Sequence, residues 1–331
     1  MHNLMKKFTS AFSVTGDESE LRNIIQDEIA AFADNITVDP MGNLIVFKKG
    51  ENSDKKLMLA AHMDEIGFVV TYIEDSGIIR VSNVGGIHIV HSSFHTVRFK
   101  NGTTGVLCID SDTKPEDIKM GKLFIDIGAK TKKEAEKKVK IGDICAVTPV
   151  FQKLLNNRYV AKALDDRIGC AILVDAARNS KKFAYDTYYV FTVQEEVGCR
   201  GSKTAAFTIM PDYAVALDVT TAGDAPGEKN LPVKLGGGAA IKIKDNSVIC
   251  SKVIVDALTT LAEKNKIEYQ YEVLLMGGTD TSSMQLAGAG CAAGCISIPT
   301  RYIHSPVEMV DMADVKGCSA LLTALIEDGI K

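Results

Sequence analysis

The sequence predicts an α/β fold in which a mixed, largely parallel sheet is flanked by helices and interrupted by a small all-β insertion. Three observations carry this expectation. Hydrophobic runs of strand length alternate with helix-length segments through the C-terminal half, the pattern of a sheet covered by helices on both faces. Between about residue 68 and about residue 157 the alternation gives way to short β-like runs and glycine-rich turns. At 331 residues the chain is longer than one core usually supports, so two units are the default. The expected division sets residues 1–67 and 158–331 as one catalytic domain and 68–157 as the inserted β-rich domain.

Taken in order, residues 21–33 (LRNIIQDEIAAFA) space their apolar positions along one helix face. Thr15-x-x-Glu18 just ahead of them has the form of a capping box. Strand-like runs ITV, NLIVFKK and KLMLAAH follow, then the insertion with FVVTYI, IIRVSNVGG, TVRFKNGTTGVLCID, LFIDIG and ICAVTPV. Past it, strands are expected near 187–193, 213–218, 239–243, 268–274 and 293–298. Helices are expected near 165–179, 247–264, 279–288 and 311–327.

The chemistry sits where these runs end. His62 and Asp64 close LMLAAHMDEIG, and residues two apart in a strand share a side, so the Asp64 carboxylate is placed to take the second ring N–H of His62. Asp165 opens the apolar helix of KALDDRIG, where a carboxylate is otherwise an N-cap. Glu195 and Glu196 follow an apolar run and precede Gly198 and Gly201. Adjacent side chains in a regular strand face opposite ways, so sharing one site requires the chain to turn there, which the glycines permit. Asp218 lies at the end of YAVAL, and His304 lies in the loop of PTRYIHSPVE. Each residue alone has an ordinary reading as a cap, a turn or a solvent-facing charge. Their recurrence at strand ends is what matters, because ligands in open α/β sheets gather beyond the carboxyl ends of the strands. Two divalent ions would balance the carboxylates of Asp165, Glu196 and Asp218 plus a bridging hydroxide, and the mixed N and O donors suit zinc, with cobalt or manganese as substitutes.

The ordered segments SVTGDE, DPMGN, AAHMDEIG, KALDDRIG, QEEVGCRGS, ALDVT, MGGTDTSS and PTRYIHSPVE cover nearly the whole chain. This set resembles the dinuclear-metal aminopeptidases that assemble into tetrahedral dodecamers, the family filed beside "cellulase M". The resemblance implies a zinc-peptidase-like catalytic domain in which His62, Asp165 and Asp218 hold one ion and Asp165, Glu196 and His304 the other. It further implies that Asp165 bridges, that Glu195 is the general base and that Asp64 supports His62. Short peptides would be the substrates. The β insertion would make dimers, the unit of a homo-oligomeric dodecamer. A deacylase of small amides is the nearest alternative. An endoglucanase is disfavoured by the absence of tryptophan for sugar platforms.

Composition sets the remaining bounds. With 46% hydrophobic and 24% charged residues the chain can bury substantial cores, and no apolar run reaches transmembrane length. No secretory apolar region follows MHNLMKKFTS, which favours a cytoplasmic location. A net charge of −4 gives no general reason to bind nucleic acid, and KTKKEAEKKVK reads as a solvated helix. The eight cysteines are irregularly spaced in apolar company and read as free thiols. His88, His91 and His95 read as structural or interface residues, with His88 and His91 on opposite sides of a strand. Asp280, in MGGTDTSS, reads as a helix cap or a pocket wall.

Overall fold

The computed structural model describes residues 1–227 and 231–330. Its strands are β1 (Asn35–Val38), β2 (Leu44–Lys48), β3 (Asn52–His62), β4 (Gly67–Ile73), β5 (Ile79–Val84), β6 (His95–Phe99), β7 (Thr104–Ile109), β8 (Leu123–Asp126) and β9 (Ile144–Val147). They continue with β10 (Phe151–Lys153), β11 (Arg158–Ala161), β12 (Tyr185–Thr192), β13 (Tyr213–Thr221), β14 (Ala239–Lys244), β15 (Tyr269–Val273), β16 (Ala292–Arg301) and β17 (Glu308–Asp311).

Among the described residues, eleven strands form one mixed sheet in the order β1-β2-β12-β3-β13-β16-β17-β11-β10, with β14 on β16 and β15 on β14. The four central strands, β12, β3, β13 and β16, are mutually parallel, and antiparallel pairs close both sides. Strands buried on both faces read as continuous apolar runs, which is what LMLAA and YAVAL are. Side-chain alternation divides them. Leu57, Leu59 and Ala61 join the larger core with Val215 and Leu217, beneath helices Leu164–Asn179, Lys252–Asn265 and Met312–Asp328. Met58, Ala60, Ala214 and Ala216 face the other way, against Ala205, Ala206 and Met284 from helices Arg200–Ile209 and Thr281–Gln285.

The second sheet is a closed barrel, β4-β5-β8-β7-β6-β9, entered directly after the His62 strand and left before Asp165. Phe68, Val70, Ile79, Val97, Phe99, Leu107 and Ile125 fill it, and closure leaves no free sheet edge. The barrel strands run from Gly67 to Val147, whereas β10 pairs with β11 in the large sheet.

Several local expectations are corrected. The helix expected over 21–33 is Ser19–Ile29 followed by a short tight turn, burying Leu21, Ile25 and Ile29 at fourfold spacing. Its capping box does not form. The Thr15 hydroxyl instead donates to Asp64 Oδ2 at 2.8 Å, and Glu18 Oε1 accepts from the Gly16 N–H at 2.7 Å. A buried carboxylate outcompeted the local cap. His88 and His91 are not in a strand; they flank and occupy a short helix, Ile89–Ser92, with stacked rings 4.7 Å apart. The lysine-rich run forms only Lys132–Ala135 as helix. Helices His2–Ser10 and Arg200–Ile209 and strands β10, β11 and β17 have no counterpart among the sequence expectations.

Candidate active site

The sequence-predicted residues converge at the carboxyl end of the parallel strands. His62 is the last residue of β3, and Glu195 and Glu196 come just after β12, whose Thr192 stands in register with His62. Asp218 lies in β13, His304 follows β16, and Asp165 opens the helix behind β11. The chain turns after β12 with Gly198 at positive φ, as expected, while Gly201 is helical and two non-glycine residues share the left-handed conformation. Gln194 and Cys199 take positive φ, and Gly201 lies so close to Asn43 that a Cβ there would meet Asn43 Oδ1 at 2.3 Å. Asn43, from DPMGN, accepts from Val193 N–H at 3.0 Å and donates to the Gly201 carbonyl at 3.0 Å, which pins both ends of the turn.

Asp165 stands between the two imidazoles. Its Oδ1 is 2.9 Å from His62 Nε2, its Oδ2 is 3.2 Å from His304 Nε2, and His304 Nε2 is also 3.2 Å from Glu196 Oε2. Asp218 Oδ1 lies 4.0 Å and Glu195 Oε2 3.9 Å from His62 Nε2. Ligand atoms of His62, Asp165 and Glu196 fall within 4.8 Å of one another, as do those of His62, Asp166 and Asp218. Asp166 was not singled out by the sequence. Its oxygens accept from the His62 N–H at 3.2 Å and the Gly169 N–H at 3.1 Å, which makes it a brace for the His62 backbone, whereas both Asp165 oxygens face imidazoles.

Asp64 departs from expectation. His62 Nδ1 faces the Asp64 backbone carbonyl at 3.1 Å, and the nearest Asp64 carboxylate oxygen is 3.6 Å away. The carboxylate instead accepts the Glu195 N–H at 3.0 Å, the Glu196 N–H at 3.2 Å and the Thr15 hydroxyl. Asp64 therefore orients the glutamate pair through its backbone and His62 through its own carbonyl.

The electrostatics call for cations. Burial pushes Glu195, Glu196 and Asp218 above the ordinary carboxylate range, and neighbouring carboxylates add to the rise. Burial opposes charge on His62 and His304 as well, but the hydrogen bonds to Asp165 outweigh it and raise both. For Asp165 the same two bonds overcome burial and hold its carboxyl low. A buried set of carboxylates and two histidines aimed at one volume fits a pair of divalent ions, which would relieve that repulsion.

Beyond the expected residues, Glu308 joins the two halves of the centre. Its Oε2 accepts the Asp165 N–H at 3.0 Å and its Oε1 the His304 N–H at 2.9 Å. Burial, and then the Asp165 charge, raise its carboxyl to about 8 against the pull of those two bonds. Behind Asp64, buried Glu65 pairs with Lys162 and with Arg167, whose guanidinium also donates to the Phe8, Ala11 and Ser13 carbonyls and ties the N-terminal helix to the site. The barrel forms one wall, since a Cβ on Gly86 would meet His304 Nδ1 at 3.1 Å. An adjoining cavity of about 30 Å³ is lined by Ile66, Phe68 and Val147 beside Asp165, Glu196 and His304. The glutamate of HSPVE was the one available sequence signal for Glu308. Glu65, Lys162 and Arg167 lie in AAHMDEIG and KALDDRIG, but nothing in the spacing of those segments signals that they pair.

Asp280 starts the helix Thr281–Gln285 without making a side-chain cap, its Oδ2 accepting the Thr192 hydroxyl at 2.6 Å instead. All eight cysteines are free, with Cys145, Cys170, Cys250, Cys295 and Cys318 buried. No helix among the described residues is long and apolar enough to cross a membrane.

Comparison with known proteins places this geometry. Residues 42–321 match the model of a family described as M42 glutamyl aminopeptidase. A protein of Acetivibrio thermocellus that carries an aminopeptidase name is 48% identical over 330 residues, covering 98% of each chain. Among solved structures, aminopeptidase APDkam598 of the archaeon Desulfurococcus kamchatkensis superposes with a TM-score of 0.96 at 38% identity, over 99% of this chain and 95% of that one. The Pyrococcus horikoshii TET1 peptidase, described as able to assemble into a tetrahedron or a large octahedral shell, gives 0.89 at 35% identity, over 98% and 99%.

Proposed function

Because the chain belongs to the M42 glutamyl aminopeptidase family and is thereby a peptide-bond hydrolase, we propose that it removes N-terminal residues from short peptides at the centre around Asp165. The observation that carries this reading is the placement of Asp165 between His62 and His304, with Glu195 close by and bonded to neither. His62, Asp165 and Asp218 would hold one divalent ion and Asp165, Glu196 and His304 the other, zinc suiting the donors best and cobalt or manganese substituting. When bound, the ions supply an acidified water and a polarised scissile carbonyl.

The remaining work falls to the chain itself. Glu195 takes the proton of the attacking water and returns it to the leaving amine. Asp64 fixes the backbone of that glutamate and its neighbour, Asp166 fixes the backbone of His62, and Glu308 fixes those of Asp165 and His304. The barrel, which holds none of the proposed ligands, is the dimer contact from which a dodecamer is built, and enclosure within such a shell admits short unfolded peptides and excludes folded proteins.

Hydrolysis of leucine, glutamate and lysine anilides, each with and without chelator, tests the reading. Chelator-sensitive release of the free amine is the expected outcome. Turnover confined to N-acylated small amides would replace the aminopeptidase with a deacylase.

A further inference from the structure

The Glu195 carboxylate faces two ways. Its Oε2 looks toward His62 Nε2 at 3.9 Å, while its Oε1 accepts the Cys199 thiol at 3.2 Å. On that second side Glu195, Cys199 and Asp280 each offer a ligand atom within 4.8 Å of the others. Asp280 is only 2% exposed, its Oδ2 takes the Thr192 hydroxyl, and its Oδ1 has no hydrogen-bond partner among the described residues. A buried carboxylate oxygen without a donor is costly, and the Asp280 side chain that carries it stands beside a half-buried thiol and a second carboxylate.

We propose that Glu195 Oε1, the Cys199 sulfur and Asp280 form an additional, weaker site for a thiophilic divalent cation, zinc or cadmium, and that filling it inhibits the enzyme. Two carboxylate oxygens and one thiolate, with water as a fourth ligand, make a tetrahedral set. Sulfur selects zinc and cadmium over manganese and magnesium, which the centre around Asp165, with its nitrogen and oxygen donors, does not do. On binding, the Cys199 S–H bond gives its proton to solvent as the sulfur–metal bond forms, with no change of oxidation state. Burial, and then the Asp280 and Glu195 charges, raise this thiol, so release of its proton opposes binding. The inhibitory consequence rests on the reading of Glu195 as base: a cation on Oε1 withholds the carboxylate from the water. The binding itself does not depend on that reading.

The test uses the metal-loaded holoenzyme titrated with cadmium, following the ultraviolet cadmium–thiolate charge-transfer band, and in parallel anilide hydrolysis against added zinc, cadmium or manganese. Expected is a band that saturates at one cation per subunit and is lost in Cys199→Ser, whose hydroxyl can still donate to Glu195. Inhibition should appear with zinc and cadmium but not manganese. The half-inhibitory zinc concentration should rise at least about tenfold in Cys199→Ser and in Asp280→Asn. A band unchanged in Cys199→Ser, or no band in the folded wild type, overturns the proposal. A Cys199-dependent band in a wild type that zinc and cadmium do not inhibit supports the cation site and counts instead against Glu195 as the base, whereas zinc inhibition of unchanged potency in Cys199→Ser overturns the inhibitory role.

Discussion

Replacing Glu308 by glutamine exchanges one carboxylate oxygen for an amide nitrogen and tests how the metal centre is held. In the native chain both carboxylate oxygens accept main-chain N–H groups, one from Asp165 and one from His304. Glutamine has one acceptor oxygen, so in either orientation its amide nitrogen faces one of the two N–H donors. Leaving a buried donor unpaired costs about 1–3 kcal/mol. That cost falls most heavily on the metal-loaded form. Ions bound by Asp165 and His304 would hold both residues in ligand geometry, so neither N–H could move to find another acceptor. Apparent affinity for the second ion should therefore fall about 5- to 150-fold. Occupancy per subunit, measured by elemental mass spectrometry against buffered zinc, gives the affinity, and anilide kinetics at saturating zinc give kcat and KM. Saturating metal should restore most of kcat with KM little changed, because Glu308 is not placed against substrate. Glu308→Ala removes both acceptors and should lose at least as much. Wild-type zinc affinity in both variants would refute the reasoning.

Glu195→Gln should keep both ions and lose about 10²- to 10⁴-fold in kcat, measured on the same anilides; loss of metal from this variant would mean that the roles of Glu195 and Glu196 are exchanged. Asp165→Ala should lower occupancy of both positions together, whereas His304→Ala should empty mainly one, and full metal content in purified Asp165→Ala would sink the two-ion assignment. Light scattering on the loaded protein should report a dodecamer of about 430 kDa, twelve copies of the 35.7 kDa chain, falling to dimers after chelation; a fully active, fully loaded monomer would remove the assembly proposal and leave the peptidase intact. Asp314 is buried, which raises its carboxyl from 3.8 to about 6 despite N–H bonds from Gly236 and Gly238. An acid raised on folding binds protons more tightly folded than unfolded, so its contribution is greatest below the unfolded value and is lost as pH rises from about 4 to about 6. Denaturant melts of wild type against Asp314→Asn should differ by up to about 3 kcal/mol in their pH dependence over that window, and parallel curves would contradict it.

The sequence by itself determined what repeats along the chain. Apolar runs such as LMLAA and YAVAL marked strands buried on both faces, and the helices expected near 165–179, 247–264 and 311–327 are the covering helices Leu164–Asn179, Lys252–Asn265 and Met312–Asp328. The residues His62, Asp165, Glu195, Glu196 and His304 stood out because each falls at or just past the boundary of a regular element, and Asp218 because it ends the apolar run YAVAL, although its strand continues to Thr221. Tertiary structure decided which atom meets which. Asp64 and His62 are two residues apart, and strand alternation pointed the carboxylate at the imidazole, yet the backbone N–H groups of Glu195 and Glu196, more than a hundred positions away, claimed it. Thr15 left a local cap for the same carboxylate. Glu308 bonding Asp165 and His304, and Cys199 and Asp280 meeting at Glu195, depend on β12, β3, β13 and β16 lying side by side in an order that is not the order of the chain. The physical reason is burial: once water is removed, a carboxylate must find its donors wherever the fold brings them, and that partner is set by strand order and register rather than by spacing along the sequence.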